Sequence, residues 1–253
     1  MEKYELLPGI RRSDLWKLNK SPFHFKFAIE HPTPQTPSLL FGSAAHKLVL
    51  EADDFFNSYA LSPVLDRRTK EGKAEWAAFV AHCEEKHLEV IPATDYEMIK
   101  EMSAAIDAHP IARKLLTGEH EQIFTWIDPL TGEACKVKVD CITEFDGKKY
   151  IVDYKTTDSC EDGHFERSCR RYGYKFQAGM YREGVFQNTL EQYGFAFVAQ
   201  EKMEPFAVRV YFCTDEWIDE GYDDFRWLIG LYHDCKTKDR WPGYEDEQLL
   251  QEG

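Results

Sequence analysis

The chain has 253 residues, 43% hydrophobic and 14% aromatic, with a net charge of −14. That balance suits one large core, and it excludes broad electrostatic affinity for nucleic acid; any such partner must meet locally concentrated positive charge or bound cations. No run reaches the roughly 20 apolar residues of a membrane span, and the opening MEKYELLPGIRR lacks a signal peptide's apolar core, so a cytoplasmic location is expected. The seven cysteines form no C-x-x-C pair, so reduced, mostly buried thiols are expected rather than a zinc ribbon.

Taken in chain order, Ser13 to about Leu18 reads as a short helix with Ser13 as cap, ended by KSP. PFHFKFAIEH is a second helix or turn, and HPTPQTP is a loop. SLLFGSAAHKLVLEA follows, capped by Ser38 and apolar on most sides, the pattern of a helix buried all round. Residues 66–90 open with basic residues and continue as an amphipathic helix. Residues 93–117 hold another, with Met98, Met102, Ala105 and Ile106 at helical spacing.

The texture then changes to period two. Three antiparallel strands are predicted at about 120–128, 134–144 and 148–156, joined by turns at DPLTG and FDGK. A helix follows at about 172–188, then strands in YGFAFVAQEK and PFAVRVYFC, then a helix from about Asp215 to His233. The acidic tail after RWPGY is expected to fray. This order predicts an α+β fold: a central mixed sheet with an antiparallel hairpin, flanked by helices. The expected organisation is a single domain over 1–253, with a helical part to about 118 and a core over about 119–245.

The hairpin carries the chemistry. A two-residue turn at Asp146-Gly147 places Phe145 opposite Lys148, and the same register places Asp140 opposite Asp153, about 5 Å apart at Cβ. Lys155, two residues on, shares that face, as does Lys138. Opposed carboxylates repel, so one protonates, lysines neutralise the pair, or a metal ion sits between them. A structural salt-bridged patch remains an alternative at this point. Two carboxylates beside a lysine also make a hard-cation site with a neighbour for an attacking water.

The pattern Asp140…Asp153-Tyr154-Lys155 resembles the D…(D/E)-x-K signature of the PD-(D/E)xK nuclease superfamily. LLFGSAAHKLVLE resembles the helix that carries an extra metal-binding histidine in its RecB, Cas4 and exonuclease VIII branches, with His46 at the matching position. QAGMY matches their Q-x-x-x-Y motif, at Gln177 and Tyr181. RRTKEGKAEWAAF, FVAQEKMEPFAV and RWPGY look more like the RecE family, and the likeness spans about residues 5–245. The resemblance implies a restriction-endonuclease-like core and Mg²⁺-dependent digestion of double-stranded DNA, 5′→3′, leaving a 3′ single strand. Mn²⁺ would be a substitute, with one or two ions per site. It further implies a homo-oligomeric ring (a tetramer, or alternatively a trimer), a RecT-type annealing partner, and a phage or prophage setting in a bacterial host.

On that resemblance His46, Asp140, Asp153 and the Tyr154 backbone carbonyl are the expected metal ligands. A lone histidine on an apolar helix is otherwise an ordinary core residue. Lys155 is expected to position the water or stabilise charge rather than act as a base, because adjacent carboxylates oppose the lowered pKa a base needs. Gln177 and Tyr181, one helical turn apart, are expected to support the site. Glu121 is left between a ligand and a strand-edge charge. Two basic clusters, Arg67, Arg68, Lys70 and Lys73, and Arg167, Arg170, Arg171 and Lys175, are expected to line the DNA path, with the first cluster or Arg11-Arg12 at the 5′ phosphate. The alternatives are a Cas4- or AddB-like nuclease, whose iron–sulfur cluster the cysteine spacing disfavours, and an inactive DNA-binding module, which would not need all four of His46, Asp140, Asp153 and Lys155.

Overall fold

The computed structural model describes residues 2–244. The amino-terminal part contains α1 (Glu2–Leu6), β1 (Ile10–Arg11), α2 (Arg12–Leu15) continued by a 3-10 turn at Trp16–Asn19, α3 (Pro22–Glu30) and α4 (Pro37–Leu50). A 3-10 turn at Ala52–Asn57 leads to β2 (Tyr59–Leu61), α5 (Lys70–Glu85), β3 (Glu89–Ile91), α6 (Ala93–Ala108) and α7 (Ala112–Leu115). The remainder is β4 (Glu119–Ile127), β5 (Ala134–Phe145), β6 (Lys148–Thr157), α8 (Asp162–Tyr172), α9 (Tyr174–Thr189), β7 (Gly194–Glu201), β8 (Val208–Phe212) and α10 (Asp215–Lys238). Among the described residues no helix is long and apolar enough to cross a membrane. The tail expected to fray lies outside the described residues.

The predicted α+β class is the one observed. β4, β5 and β6 are antiparallel, β6 and β7 are parallel, and β7 and β8 are antiparallel. Asp146 and Gly147 both have positive φ, +49° and +74°, the requirement of a type I′ hairpin turn. That turn sets the expected register, Phe145 opposite Lys148 through to Cys141 opposite Val152. The ladder stops there, one position short of the aspartates. β4 runs along one edge of β5, while on the other edge β1 pairs with Cys135 and Lys136. β6 has therefore left β5 beyond Cys141, and the chain's amino-terminal segment enters the space between them.

Apolar side chains alternate along β6 and β7 and make a core on each face of the sheet. Ile151, Phe195 and Phe197 pack with α9, α10 and the amino-terminal helices. Val152, Tyr154, Ala196 and Val198 pack with α4, α6 and α7. β5 changes allegiance midway: Val139 lies in the first core and Cys141 in the second. In a regular strand these two would share a face, so β5 turns over at Asp140. Glu121, level with Asp140 on β4, has φ +55°, a conformation costly for a non-glycine residue and concentrated at functional sites.

Several predicted details are corrected. The helix expected from a Ser13 cap is α2, which starts at Arg12 with no side-chain cap, and α1 precedes it. Thr36, not Ser38, caps α4 by accepting from Leu39 N at 3.3 Å, with Pro37 at the first helical position, where a missing N–H costs nothing. α4 is not buried all round, since only Ala44, Ala45, Leu48 and Leu50 are buried and Leu39 is exposed. The 93–117 helix breaks before Pro110, which cannot continue the α6 hydrogen bonding. The predicted 172–188 helix is preceded by a second one, α8, and Gly173 in the left-handed conformation joins the two. β1 and the parallel pair β2–β3 have no periodic signal, being only two or three residues long.

Candidate metal and nuclease site

Asp140 stands where β5 turns over, and Asp153 stands on β6 just past the last ladder pair. Tyr154 N donates to Asp140 Oδ2 at 2.9 Å. On the same oxygen, at 3.3 Å, lies His46 Nδ1, delivered from α4. Asp153 is 1% exposed. Its Oδ1 accepts from Gln177 Nε2 of α9, itself buried. Its Oδ2 has Lys155 Nζ at 2.6 Å but makes no hydrogen bond of acceptable geometry. Tyr181, one turn after Gln177, lines the same cavity of about 280 Å³, together with Tyr4, Arg12, Lys138, Asp140 and Asp153.

The electrostatics follow from this crowding. Burial pushes Asp140 up to about 6, with Lys155 pulling it down and Glu121 pushing it further up. Burial likewise raises Asp153 against the opposing pull of Lys155, and the Asp140 charge adds to the rise. Burial and the Lys155 charge push His46 down to about 4, so the imidazole is neutral at physiological pH. Burial alone would lower Lys155, but Asp153, Tyr174 and Asp140 together hold it above its ordinary value. Its ammonium also lies 5.0 Å from the centre of the Tyr174 ring. Tyr181 is raised well above the ordinary phenol value by burial and by the two aspartates, so it is a neutral donor.

Whether a cation fits can be judged from the donors. Two carboxylates and a backbone carbonyl are the hard oxygens that Mg²⁺ or Mn²⁺ prefers, and a neutral imidazole is a common metal ligand. The buried Asp153 Oδ2, with only the Lys155 ammonium beside it, is an acceptor that a cation would satisfy further. Among the described residues no three His, Cys, Asp or Glu side chains already form a cage, because Lys155 crowds Asp153 and His46 leans on Asp140. The set fits a hard cation that draws these groups together, with His46, Asp140, Asp153 and the Tyr154 carbonyl as the residues to hold it.

A family model for a PDDEXK-like domain of unknown function (DUF3799) matches residues 12–251. The chain belongs to this PDDEXK-like family. The match takes in the helix of His46, the hairpin of Asp140 and Asp153, and the helix of Gln177 and Tyr181. Of solved structures, a "Putative exonuclease" from Eubacterium rectale is similar over 97% of this chain and 90% of its own, with a TM-score of 0.65 and 18% identity. That likeness is one of fold. SSO0001 aligns over 85% of this chain and 84% of its own at 13% identity, with a TM-score of 0.32, too low to carry an argument. Among curated proteins, none matches.

The structure brings six of the sequence-predicted residues into one place: His46, Asp140, Asp153, Lys155, Gln177 and Tyr181. The eight basic residues of the two clusters do not line the cavity. Arg68 is paired with Asp66, Arg67 lies over the Trp76 ring at 3.4 Å, and Lys175 is paired with Glu220 at 2.8 Å. Arg167, Arg170 and Arg171 are exposed along α8. Arg11 is taken up by Glu5 and Asp14. Glu121 pairs with Lys138, and its charge reaches Asp140 and His46.

Sequence reading offered Arg12 only with Arg11 at the 5′ phosphate, and Tyr174 not at all. Arg12, the first residue of α2 directly after β1, donates to the carbonyls of Tyr172 and Gly173, at 2.9 Å for the latter, while its Nε is buried without a partner. Tyr174 stands over Lys155. A signal for it existed, since positions 174, 177 and 181 recur on one helix face.

Proposed function

We propose that this chain is a divalent-metal-dependent DNA nuclease of the RecE-like exonuclease type. The observation that carries the reading is the constellation at the hairpin: Asp140 and Asp153 converging where β5 leaves β6, neutral His46 against one of them, and the Lys155 ammonium 2.6 Å from the other. The likeness in fold to the Eubacterium rectale protein named a "Putative exonuclease" supports it.

When bound, Mg²⁺ or Mn²⁺ would polarise the scissile phosphodiester and ease deprotonation of the attacking water. The chain's own residues do the rest. Gln177 holds Asp153 by one oxygen and leaves the other beside Lys155. His46 offers a lone pair because it is uncharged. Lys155 remains protonated, so it serves as a hydrogen-bond donor and local positive charge for the water and the phosphate, not as a base. Arg12, with a free buried N–H, supplies positive charge to the cavity and answers in part the objection raised by the net charge of −14; Lys138 also lines it but is paired with Glu121. Arg12 rather than Arg11 is suited to a terminal phosphate, since Arg11 is already paired.

The finer features rest on the resemblance: digestion of linear duplex 5′→3′ to leave 3′ single strands, a threaded ring of subunits, the two basic clusters (Arg67, Arg68, Lys70 and Lys73; Arg167, Arg170, Arg171 and Lys175) along the DNA path, and a RecT-type annealing partner in a phage or prophage system. The deciding assay digests linear duplex DNA labelled at either end, with and without Mg²⁺. Metal-dependent loss of the 5′ label first supports the whole reading. Loss of the 3′ label first keeps the nuclease and reverses the polarity, and cleavage without divalent metal overturns the mechanism.

A further inference from the structure

Gln200 is a fully buried amide in an otherwise apolar core. It lies on β7 beside Thr156 of β6, 0% exposed, on the sheet face covered by α4, α6 and α7. Every polar group it has is used. Its Nε2 donates to Met102 O of α6 at 2.8 Å and to Phe206 O of the β7–β8 turn at 3.4 Å. Those two carbonyls fix which way the amide points, so its Oε1 must face the remaining neighbour. That neighbour is the Tyr154 hydroxyl, which donates to it at 2.6 Å. An aliphatic side chain of similar volume would pack here without desolvating an amide, so packing alone does not call for Gln200.

Tyr154 is the residue between the aspartate and the lysine of the hairpin, and it touches two of the groups proposed to hold the cation. Its backbone N–H donates to Asp140 Oδ2 at 2.9 Å. Its ring centre lies 4.9 Å from that of His46, tilted by 56°. The ring is 0% exposed, and with its hydroxyl locked by Gln200 it has one position available.

We propose that Gln200 and Tyr154 form a positioning clamp which, from the sheet face away from the cavity, seats His46 and Asp140 for the cation. The clamp rests on the metal-nuclease reading above. It ties α6 and the β7–β8 turn to the site through a satisfied buried network, whose members act together rather than singly. Neither side chain is catalytic; whatever the Tyr154 backbone carbonyl contributes, the Tyr154 ring and Gln200 act through His46 and Asp140.

The test is calorimetric titration of Mn²⁺ into the protein without DNA, for wild type, Gln200→Met, Tyr154→Phe and the double variant, with a thermal melt of each. Both single variants are near-isosteric. Each is expected to weaken Mn²⁺ binding by about 10-fold or more, the usual cost of losing a partner behind a ligand. The double variant is expected to lose little beyond either single one. Cleavage by the variants should recover at saturating Mn²⁺, since the reacting groups are intact. Mn²⁺ affinity within about twofold of wild type in Tyr154→Phe, with only the melting temperature changed, would overturn the clamp; this holds even if the Gln200 variant does not fold. A wild type that binds no Mn²⁺ would overturn the metal reading itself, and the clamp with it.

Discussion

Gln177 Nε2 donates to Asp153 Oδ1, and both side chains are buried, at 3% and 1% exposure. α9 thus reaches across to orient a carboxylate on β6, leaving its other oxygen beside Lys155. Replacing Gln177 by Leu leaves that Oδ1 without a partner in a buried place. Expected is a loss of about 10- to 100-fold in divalent-cation affinity, read by Mn²⁺ titration, with a parallel fall in cleavage at limiting metal. Unchanged affinity would make Gln177 a packing residue.

Asp153 and Lys155 share one face but have separable roles. Asp153→Ala removes a ligand and is expected to abolish both cation binding and cleavage. Lys155→Ala is expected to leave Mn²⁺ binding within a few-fold of wild type while lowering the turnover number about 100-fold or more, because it removes charge stabilisation aimed at the reacting phosphate. Cleavage retained by Asp153→Ala would defeat the proposed mechanism.

The helix that carries Gln177 and Tyr181 crosses α10 at a glycine contact. A Cβ on Gly179 would lie 2.2 Å from Gly221 C and from Tyr222 N, and one on Gly221 would lie 2.0 Å from Lys175 O. These are backbone atoms and cannot give way as a side chain would. Gly179→Ala is expected to cost about 1–3 kcal/mol, the usual range for overpacking, measurable by urea unfolding. It should also reduce cleavage more than its stability loss explains, since Gln177 and Tyr181 move with the helix.

Away from the site, Asp128 is fully buried between β4 and β5, bonded to Arg226 of α10 and to Thr131 N and Oγ1, at 2.8 and 2.6 Å. Burial raises its pKa, but the Arg226 and Thr131 hydrogen bonds lower it more, and the net is below the ordinary value. A carboxyl depressed in the folded state adds stability above its unfolded pKa of about 3.9, and loses it as pH falls through the folded value. Asp128→Asn is therefore expected to be less stable than wild type by roughly 2 kcal/mol at pH 7, with the gap closing below about pH 4. Denaturant unfolding of both proteins over a series from pH 7 down to about pH 2 checks this; a gap that does not narrow as pH falls below about 4 would remove the charge from the explanation.

Much of the site was legible because a hairpin obeys local rules. Asp146-Gly147 dictated the turn, the turn dictated the register through Cys141 and Val152, and period two then put Asp153 and Lys155 on one face. The family resemblance of their motifs pointed to His46, Gln177 and Tyr181 as well. Cap positions were less legible: Ser13 and Ser38 are good capping residues, but a helix start depends on where the preceding chain is pinned. For α2 that is the pairing of β1 with β5. α8 was missed because its residues 162–172 carry few apolar side chains to mark a period, with only Phe165 buried.

By itself, then, the sequence determined the elements of the core sheet, the register of the hairpin and the identity of the acids and lysine, since each follows from neighbours within a few residues. Tertiary structure decided how those groups act. It separated β5 from β6 beyond Cys141, turned β5 over at Asp140, and slid β1 with Arg12 into the space. It brought His46 from α4 onto Asp140 and set Gln200 behind Tyr154. These are contacts between residues tens to more than a hundred positions apart. No local period encodes them; they form only because two apolar cores on opposite faces of one sheet must close at the same time.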